Sequence, residues 1–120
     1  MRVPYSAGAG ALVWVRLAGP NGFADVLALL DTGAEDVLVS QTRIAQLGLR
    51  PVGVIEEDTP AGLVQEPVYH AALQVGDKQI GELEVVALGG TSQADVILGR
   101  RALAHFRVTF DGPAGWVDLA

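Results

Sequence analysis

Apolar positions along this chain fall in short runs that alternate with polar residues or are cut by glycine and proline. The rhythm is one of strands rather than helices. Residues 11–17 form the first run, closed by Gly19-Pro20-Asn21-Gly22. Residues 24–30 return as a second run, which predicts a hairpin. Residues 37–39 are a third, and 42–47 predict a short helix stopped by Gly48. From 52 to 88 strand and turn alternate, with turns at Thr59-Pro60-Ala61-Gly62, Gly76-Asp77-Lys78 and Gly89-Gly90. Val96-Ile97-Leu98 runs into Gly99, and residues 100–105 predict a second short helix. Residues 107–110 and 116–119 read as a closing pair of strands around Asp111-Gly112-Pro113. Gly8-Ala9-Gly10 reads as a flexible N-terminal segment. Many short strands with Gly and Pro punctuation predict an all-β, small closed barrel-like fold with one or two short helices.

Length and composition narrow the class. A chain of 120 residues, half of them hydrophobic, is expected to be one domain, spanning residues 1–120, with a core of its own. Cysteine is absent, which excludes disulfides and thiolate metal sites while leaving the compartment open. A net charge of -6, with basic residues scattered except for Arg100-Arg101, argues against a nucleic-acid partner. No apolar run reaches the ~20 residues of a spanning helix, and the N-terminus lacks the long apolar stretch of a signal peptide. The expectation is a soluble, unprocessed, cytoplasmic protein with no membrane partner.

Several chemistries find no support. His70 and His105 lie far apart without metal-ligand spacing, so no metal is expected and both read as surface residues. Ser40 has no Gly-x-Ser-x-Gly setting. Gly8-Ala9-Gly10 lacks the third glycine and the preceding strand of a dinucleotide loop. No cofactor is called for. Trp14 and Trp116 read as anchors of the core or of a subunit interface.

Asp31 stands out because it follows Val26-Leu27-Ala28-Leu29-Leu30 and so ends a strand that should be buried. A lone carboxylate there is costly and would sooner take up a proton than remain charged without a partner. Thr32 adds a hydroxyl and Gly33 permits a tight turn or close backbone approach. Taken alone, the triplet is equally well an ordinary strand-ending turn. A second apolar strand running into glycine, Val96-Ile97-Leu98-Gly99, echoes Leu29-Leu30-Asp31-Thr32-Gly33, as a duplicated half-domain or as a coincidence of β-rich composition.

The stretch Leu29-Leu30-Asp31-Thr32-Gly33-Ala34-Glu35-Asp36 resembles the active-site loop of retropepsins, the retroviral-type aspartic proteases. Val96-Ile97-Leu98-Gly99-Arg100 resembles their second signature, an apolar run followed by Gly-Arg and a short helix. The two motifs span most of the chain with a candidate flap hairpin, residues 54–68, between them. The resemblance implies a retropepsin-like fold, active as a symmetric homodimer on peptide or protein substrates. It implies that Asp31 is the catalytic carboxylate, that Thr32 braces the loop across a two-fold axis, and that Gly33 offers its carbonyl to an extended peptide. Ala34, Glu35, Asp36 and Ile97 would line adjoining subsites, with Pro60, Ala61, Gly62 and Leu63 near substrate at the flap tip. Leu98, Gly99 and Arg100 would give structural support, Arg100 by pairing with Glu35. Two departures stand beside the match. The flap tip is less glycine-rich than in retroviral enzymes, and Arg101 occupies a place where relatives often carry Asp or Asn.

Peptide hydrolysis by this route needs two carboxylates sharing a proton. Asp31 is the sole Asp followed by Thr/Ser-Gly, so its partner is expected from a second identical chain on a two-fold axis. Strands 107–110 and 116–119 are the expected interface. The alternatives are a retropepsin-fold dimerisation or peptide-binding module with little proteolysis, and a monomer that uses the fold structurally.

Overall fold

The computed structural model describes residues 1–89 and 94–120. Ten strands follow in order: β1 (Arg2–Ser6), β2 (Gly10–Gly19), β3 (Gly22–Leu30), β4 (Val37–Ser40), β5 (Pro51–Thr59), β6 (Gly62–Val75), β7 (Lys78–Leu88), β8 (Val96–Leu98), β9 (Val108–Asp111) and β10 (Trp116–Leu119). Two short helices interrupt them, α1 (Gln41–Leu47) and α2 (Arg100–Leu103). All ten strands join one sheet, ordered β5-β6-β7-β4-β8-β3-β2-β1-β10-β9. An additional β2–β6 pairing bends six of them, β2, β3, β8, β4, β7 and β6, into a closed ring. The all-β, barrel-like expectation holds, and the hairpins around residues 20–21, 60–61 and 76–77 fall where the turn residues predicted. The Gly89-Gly90 turn lies partly outside the described residues.

The ring closes because alternate side chains of every strand are aliphatic. In β2, Val13, Val15 and Leu17 point inward and are at most 2% exposed, while Trp14 and Arg16 point out. Val26, Ala28 and Leu30 of β3 face them, and Val37, Val39, Leu73, Val75, Val85, Val96 and Leu98 complete the interior. No polar side chain is buried among the described residues. Removing this apolar surface from water is the main term that offsets the ordering of the chain.

Both helices are set by their ends. Ser40 caps α1 by accepting a hydrogen bond from Arg43 N at 3.3 Å, and Gly48 ends it in the left-handed conformation (φ 63°). Ile44 and Leu47 turn inward against the sheet. The second helix is two residues shorter than the expected 100–105, its chain leaving the helix after Leu103.

Three expectations are corrected. Gly8-Ala9-Gly10 is not a loose N-terminal segment but part of a hairpin. Arg2–Ser6 is a strand, and Gly8-Ala9 lie in the turn of a β1–β2 hairpin, with Gly10 opening β2 at φ 70°. Trp14 is not a core residue, since its position on the outer face of β2 leaves it 61% exposed. Trp116 is half-buried, with the Arg2 guanidinium 3.5 Å from its ring centroid. Of the two strands expected to form an interface edge, β10 lies between β1 and β9 and has both edges paired, so only β9 is free. His70 and His105 are exposed, as expected. Among the described residues no helix is long and apolar enough to cross a membrane.

Candidate active site

The two motifs that echo each other in the sequence are neighbours in the sheet. Strands β3 and β8 pair in parallel, Leu29 beside Ile97 and Leu30 beside Leu98. The ladder continues one step past the strand end, where Asp31 N donates to Leu98 O at 3.0 Å. Asp31 therefore leaves the sheet at a fixed height, half-buried rather than enclosed. Its carboxylate folds back over the loop, with Oδ1 accepting the Gly33 N–H at 2.8 Å, while Ala34 N reaches Asp31 O at 3.3 Å. A Cβ on Gly33 would stand 3.1 Å from that same Oδ1, so glycine keeps the carboxylate's approach open.

The rest of the loop rests on the start of α2. Arg100 N donates to Ala34 O at 2.8 Å and Arg101 N to Glu35 O at 3.0 Å, so two N–H groups of the first helical turn find partners in the loop. Gly99 makes this seating possible, because a Cβ there would fall 2.8 Å from Ala34 O and closer still to Asp36 O. The Arg100 guanidinium adds a hydrogen bond to Thr32 O at 2.8 Å. Leu98, Gly99 and Arg100 thus all touch or carry the Asp31 loop. Thr32 and Gly33 themselves are exposed.

One pairing differs from expectation. Glu35 does not pair with Arg100, whose side chain runs to the Thr32 carbonyl. The ion pair goes to Arg101, with Nη2 3.2 Å from Glu35 Oε1 and Nε 3.0 Å from Asp36 Oδ1. The short helix turns the two neighbouring arginines in different directions, which a linear reading of Gly-Arg-Arg does not reveal.

Beside the loop runs an apolar row that sequence reasoning caught only in part. Leu12, Leu29, Ile97, Leu38, Val86 and Val68 sit side by side on six consecutive strands. They lie on the outer face of the ring, opposite to the core. Val68 and Val86 are buried, whereas Leu29, Ile97 and Leu38 are half-exposed and Leu12 is 40% exposed. Ile97 was singled out by its motif. Leu29 was legible too, since a residue two before Asp31 shares its side of the strand. Leu38 required the β4–β8 pairing.

The hairpin of β5 and β6 projects from the ring, paired from Thr59–Gly62 at its tip back to Pro51–Tyr69. Thr59 organises the tip, its hydroxyl donating to Gly62 O at 2.7 Å and accepting from Ala61 N at 3.3 Å. Gly62 has φ 110°, which disfavours any other residue. Pro60, Ala61, Gly62 and Leu63 are all exposed, Leu63 at 70%. Among the described residues no hydrogen bond or ion pair ties this tip to the Asp31 loop. A cleft of about 730 Å³ opens between the hairpin and the ring, lined by Leu38, Val86 and Leu88 with Glu57 and Glu66. No group of three or more His, Cys, Asp or Glu fit to hold a metal occurs among the described residues.

A closed six-stranded ring, a carboxylate at a strand end braced by a Gly-Arg helix start, and a projecting hairpin together define a retropepsin-like aspartic protease architecture. Residues 20–105 match the family model described as "gag-polyprotein putative aspartyl protease", and the chain belongs to this family of retropepsin-like proteins. Solved structures agree on the fold. A retropepsin-like aspartic protease from Rickettsia conorii superposes with a TM-score of 0.70 at 14% identity, over 99% of this chain and 88% of that one. The EIAV protease complexed with the inhibitor HBY-793 gives 0.58 at 19% identity, over 86% and 93%. The retroviral protease-like domain of Ddi1 from Leishmania major gives 0.53 at 14% identity, over 90% and 87%. A comparison with curated proteins gives no match.

Proposed function

We propose that the protein is an aspartic endopeptidase that works as a homodimer, each chain contributing one Asp31. The observation that carries this reading is the posture of Asp31. It is half-buried at a strand end, held by Gly33 N–H on one side of its carboxylate and mounted through its backbone on β8. Each chain has one Asp-Thr-Gly, so the second carboxylate comes from the two-fold partner. Residues 1–120 act as one protease domain.

With the two loops facing each other, like charges oppose double ionisation and the pair shares one proton. The ionised Asp31 takes a proton from water as the oxygen attacks the scissile carbonyl carbon. The protonated Asp31 gives its proton to the carbonyl oxygen, forming a gem-diol. The Asp31 that took the water proton then gives it to the amide nitrogen while the other takes a proton from a gem-diol hydroxyl, so that the C–N bond breaks, acid and amine leave, and the pair again holds one proton. Thr32 braces the loop across the axis and the Gly33 carbonyl accepts from the peptide backbone. The row of Leu12, Leu29, Ile97 and Leu38 offers an apolar floor, and Ala34, Glu35 and Asp36 flank it. The hairpin over residues 54–68 closes on the substrate through its tip, Pro60 to Leu63, and excludes water.

Asp31→Asn removes the titrating group with little change in shape. The expected outcome is loss of peptide cleavage, by about a thousandfold or more, with unchanged sedimentation and unfolding midpoint. Cleavage that survives in the variant defeats the proposal. Peptide binding without cleavage by the wild-type protein would instead favour a binding module.

A further inference from the structure

Arg101 stands just after the Gly-Arg signature and its guanidinium spans two carboxylates. Nε lies 3.0 Å from Asp36 Oδ1 and Nη2 lies 3.2 Å from Glu35 Oε1. The backbone of the same residue donates to Glu35 O. One side chain thus engages both acids of the loop, and it does so through two different N–H groups of a planar fork, a geometry lysine cannot reproduce. The neighbouring Arg100 is committed to Thr32 O, so among the described residues no other cation pairs with Glu35 or Asp36.

We propose that Arg101 is a specificity-determining residue: its guanidinium masks Glu35 and Asp36 and keeps their charges from selecting basic side chains in the substrate. This rests on the proteolytic reading, in which Glu35 and Asp36 flank the bound peptide. The charge arithmetic is simple. With Arg101 in place Glu35, Asp36 and Arg101 together carry one net negative charge, and without it Glu35 and Asp36 are two free carboxylates. Glu35 and Arg101 are both more than half exposed, so each interaction is of the modest, salt-sensitive kind. A specificity change of limited size is therefore expected, not a collapse of the site. Gly99, Arg100 and the backbone bonds to Ala34 and Glu35 hold the loop when the Arg101 side chain is removed.

The test uses two peptides that differ only by Lys or Glu at the position adjoining the cleavage site, with wild type, Arg101→Lys and Arg101→Ala compared at low and high salt. In Arg101→Ala the ratio of kcat/KM for the Lys peptide over the Glu peptide is expected to rise about three- to tenfold at low salt. Most of that rise is lost in 1 M salt, about the concentration at which such charges are screened within a few ångströms. Arg101→Lys falls between, since a point charge covers one carboxylate better than two. An unchanged ratio in Arg101→Ala overturns the inference, as does a fall in kcat for both peptides alike, which would mark a purely structural role. The same ratio is read as binding affinity in the Asp31→Asn background. If the wild-type protein fails to cleave, the proteolytic reading falls while the affinity ratio still decides the role of Arg101. If neither peptide binds, the inference falls with it.

Discussion

Gly99 offers the sharpest test of how the site is built. Its φ of -81° is open to any residue, so replacing it with alanine carries no backbone penalty. The whole effect comes from one methyl group. That methyl would meet Ala34 O at 2.8 Å and Asp36 O closer still, and both are backbone atoms that cannot rotate away. The loop must retreat by about 1 Å, the scale at which misplacement of reacting groups costs about a hundredfold in rate. Retreat stretches the Arg100 N to Ala34 O and Arg101 N to Glu35 O bonds. At about 0.5–1.5 kcal/mol each these contribute roughly 1–3 kcal/mol, and overpacking adds about 1–3. A loss of about 4 kcal/mol is a large share of the 5–15 kcal/mol or so that holds a typical domain.

With a urea slope of about 1–3 kcal/mol per M, Gly99→Ala should lower the unfolding midpoint by about 2 M with little change in slope. The comparison is made at matched protein concentration, because any self-association adds stability by mass action. Gly112→Ala is the control, since a Cβ there meets nothing within 4 Å and its φ is not positive. Cleavage by the folded fraction of Gly99→Ala should fall by about a hundredfold. A midpoint and activity equal to those of the Gly112→Ala control would refute the idea that the loop is seated directly on Gly99.

Two further outcomes follow. Asp25 accepts hydrogen bonds from Arg16 at 2.8 and 3.0 Å, and these hold its carboxyl below the usual Asp range against the opposing effect of desolvation, with the attraction of the guanidinium adding a lesser pull. A depressed folded-state pKa means that the pair's contribution is present above the unfolded Asp pKa and is lost as pH falls through the folded one. The midpoint difference between wild type and Arg16→Gln should therefore shrink toward zero on acidification, and a difference independent of pH would contradict the pairing. Leu17 and Trp14 lie on opposite faces of β2, at 0% and 61% exposure. Leu17→Ala should cost about 2–5 kcal/mol and Trp14→Ala under about 1 kcal/mol, both read from urea midpoints.

The strands of the ring were legible because each buries one face, and alternation survives in a single sequence: β2 reads inward at Val13, Val15 and Leu17 and outward at Trp14 and Arg16. The turns were legible because glycine and proline mark them. What escaped depends on distant partners. Strand β1 contains Pro4 and leads into small residues, and it becomes a strand because Val3 pairs with Val117 at the far end of the chain. Ring closure through Val15 and Val75 is likewise non-local. The core alternative for Trp14 fails because size argues for burial, whereas its parity on β2 puts it outside. The chemistry of the site was carried by two motifs, but the routing of Arg100 to Thr32 O and Arg101 to the acids is set by side-chain directions on a single helical turn.

That routing bears on why the two motifs travel together. Asp31 is held by hydrogen bonds to its backbone and within its own loop, so its position is set by backbone anchors. The anchors outside the loop are Leu98 O on Asp31 N, Arg100 N on Ala34 O, Arg101 N on Glu35 O and the Arg100 guanidinium on Thr32 O. All four come from residues 98–101, and the Gly33 bond to the carboxylate is added within the loop itself. The triplet supplies the carboxylate proposed to react, and the second motif supplies the contacts that seat its loop. Changes at Leu98, Gly99 and Arg100 should therefore alter rate as strongly as changes beside Asp31 itself, even though none of those side chains need touch the scissile bond.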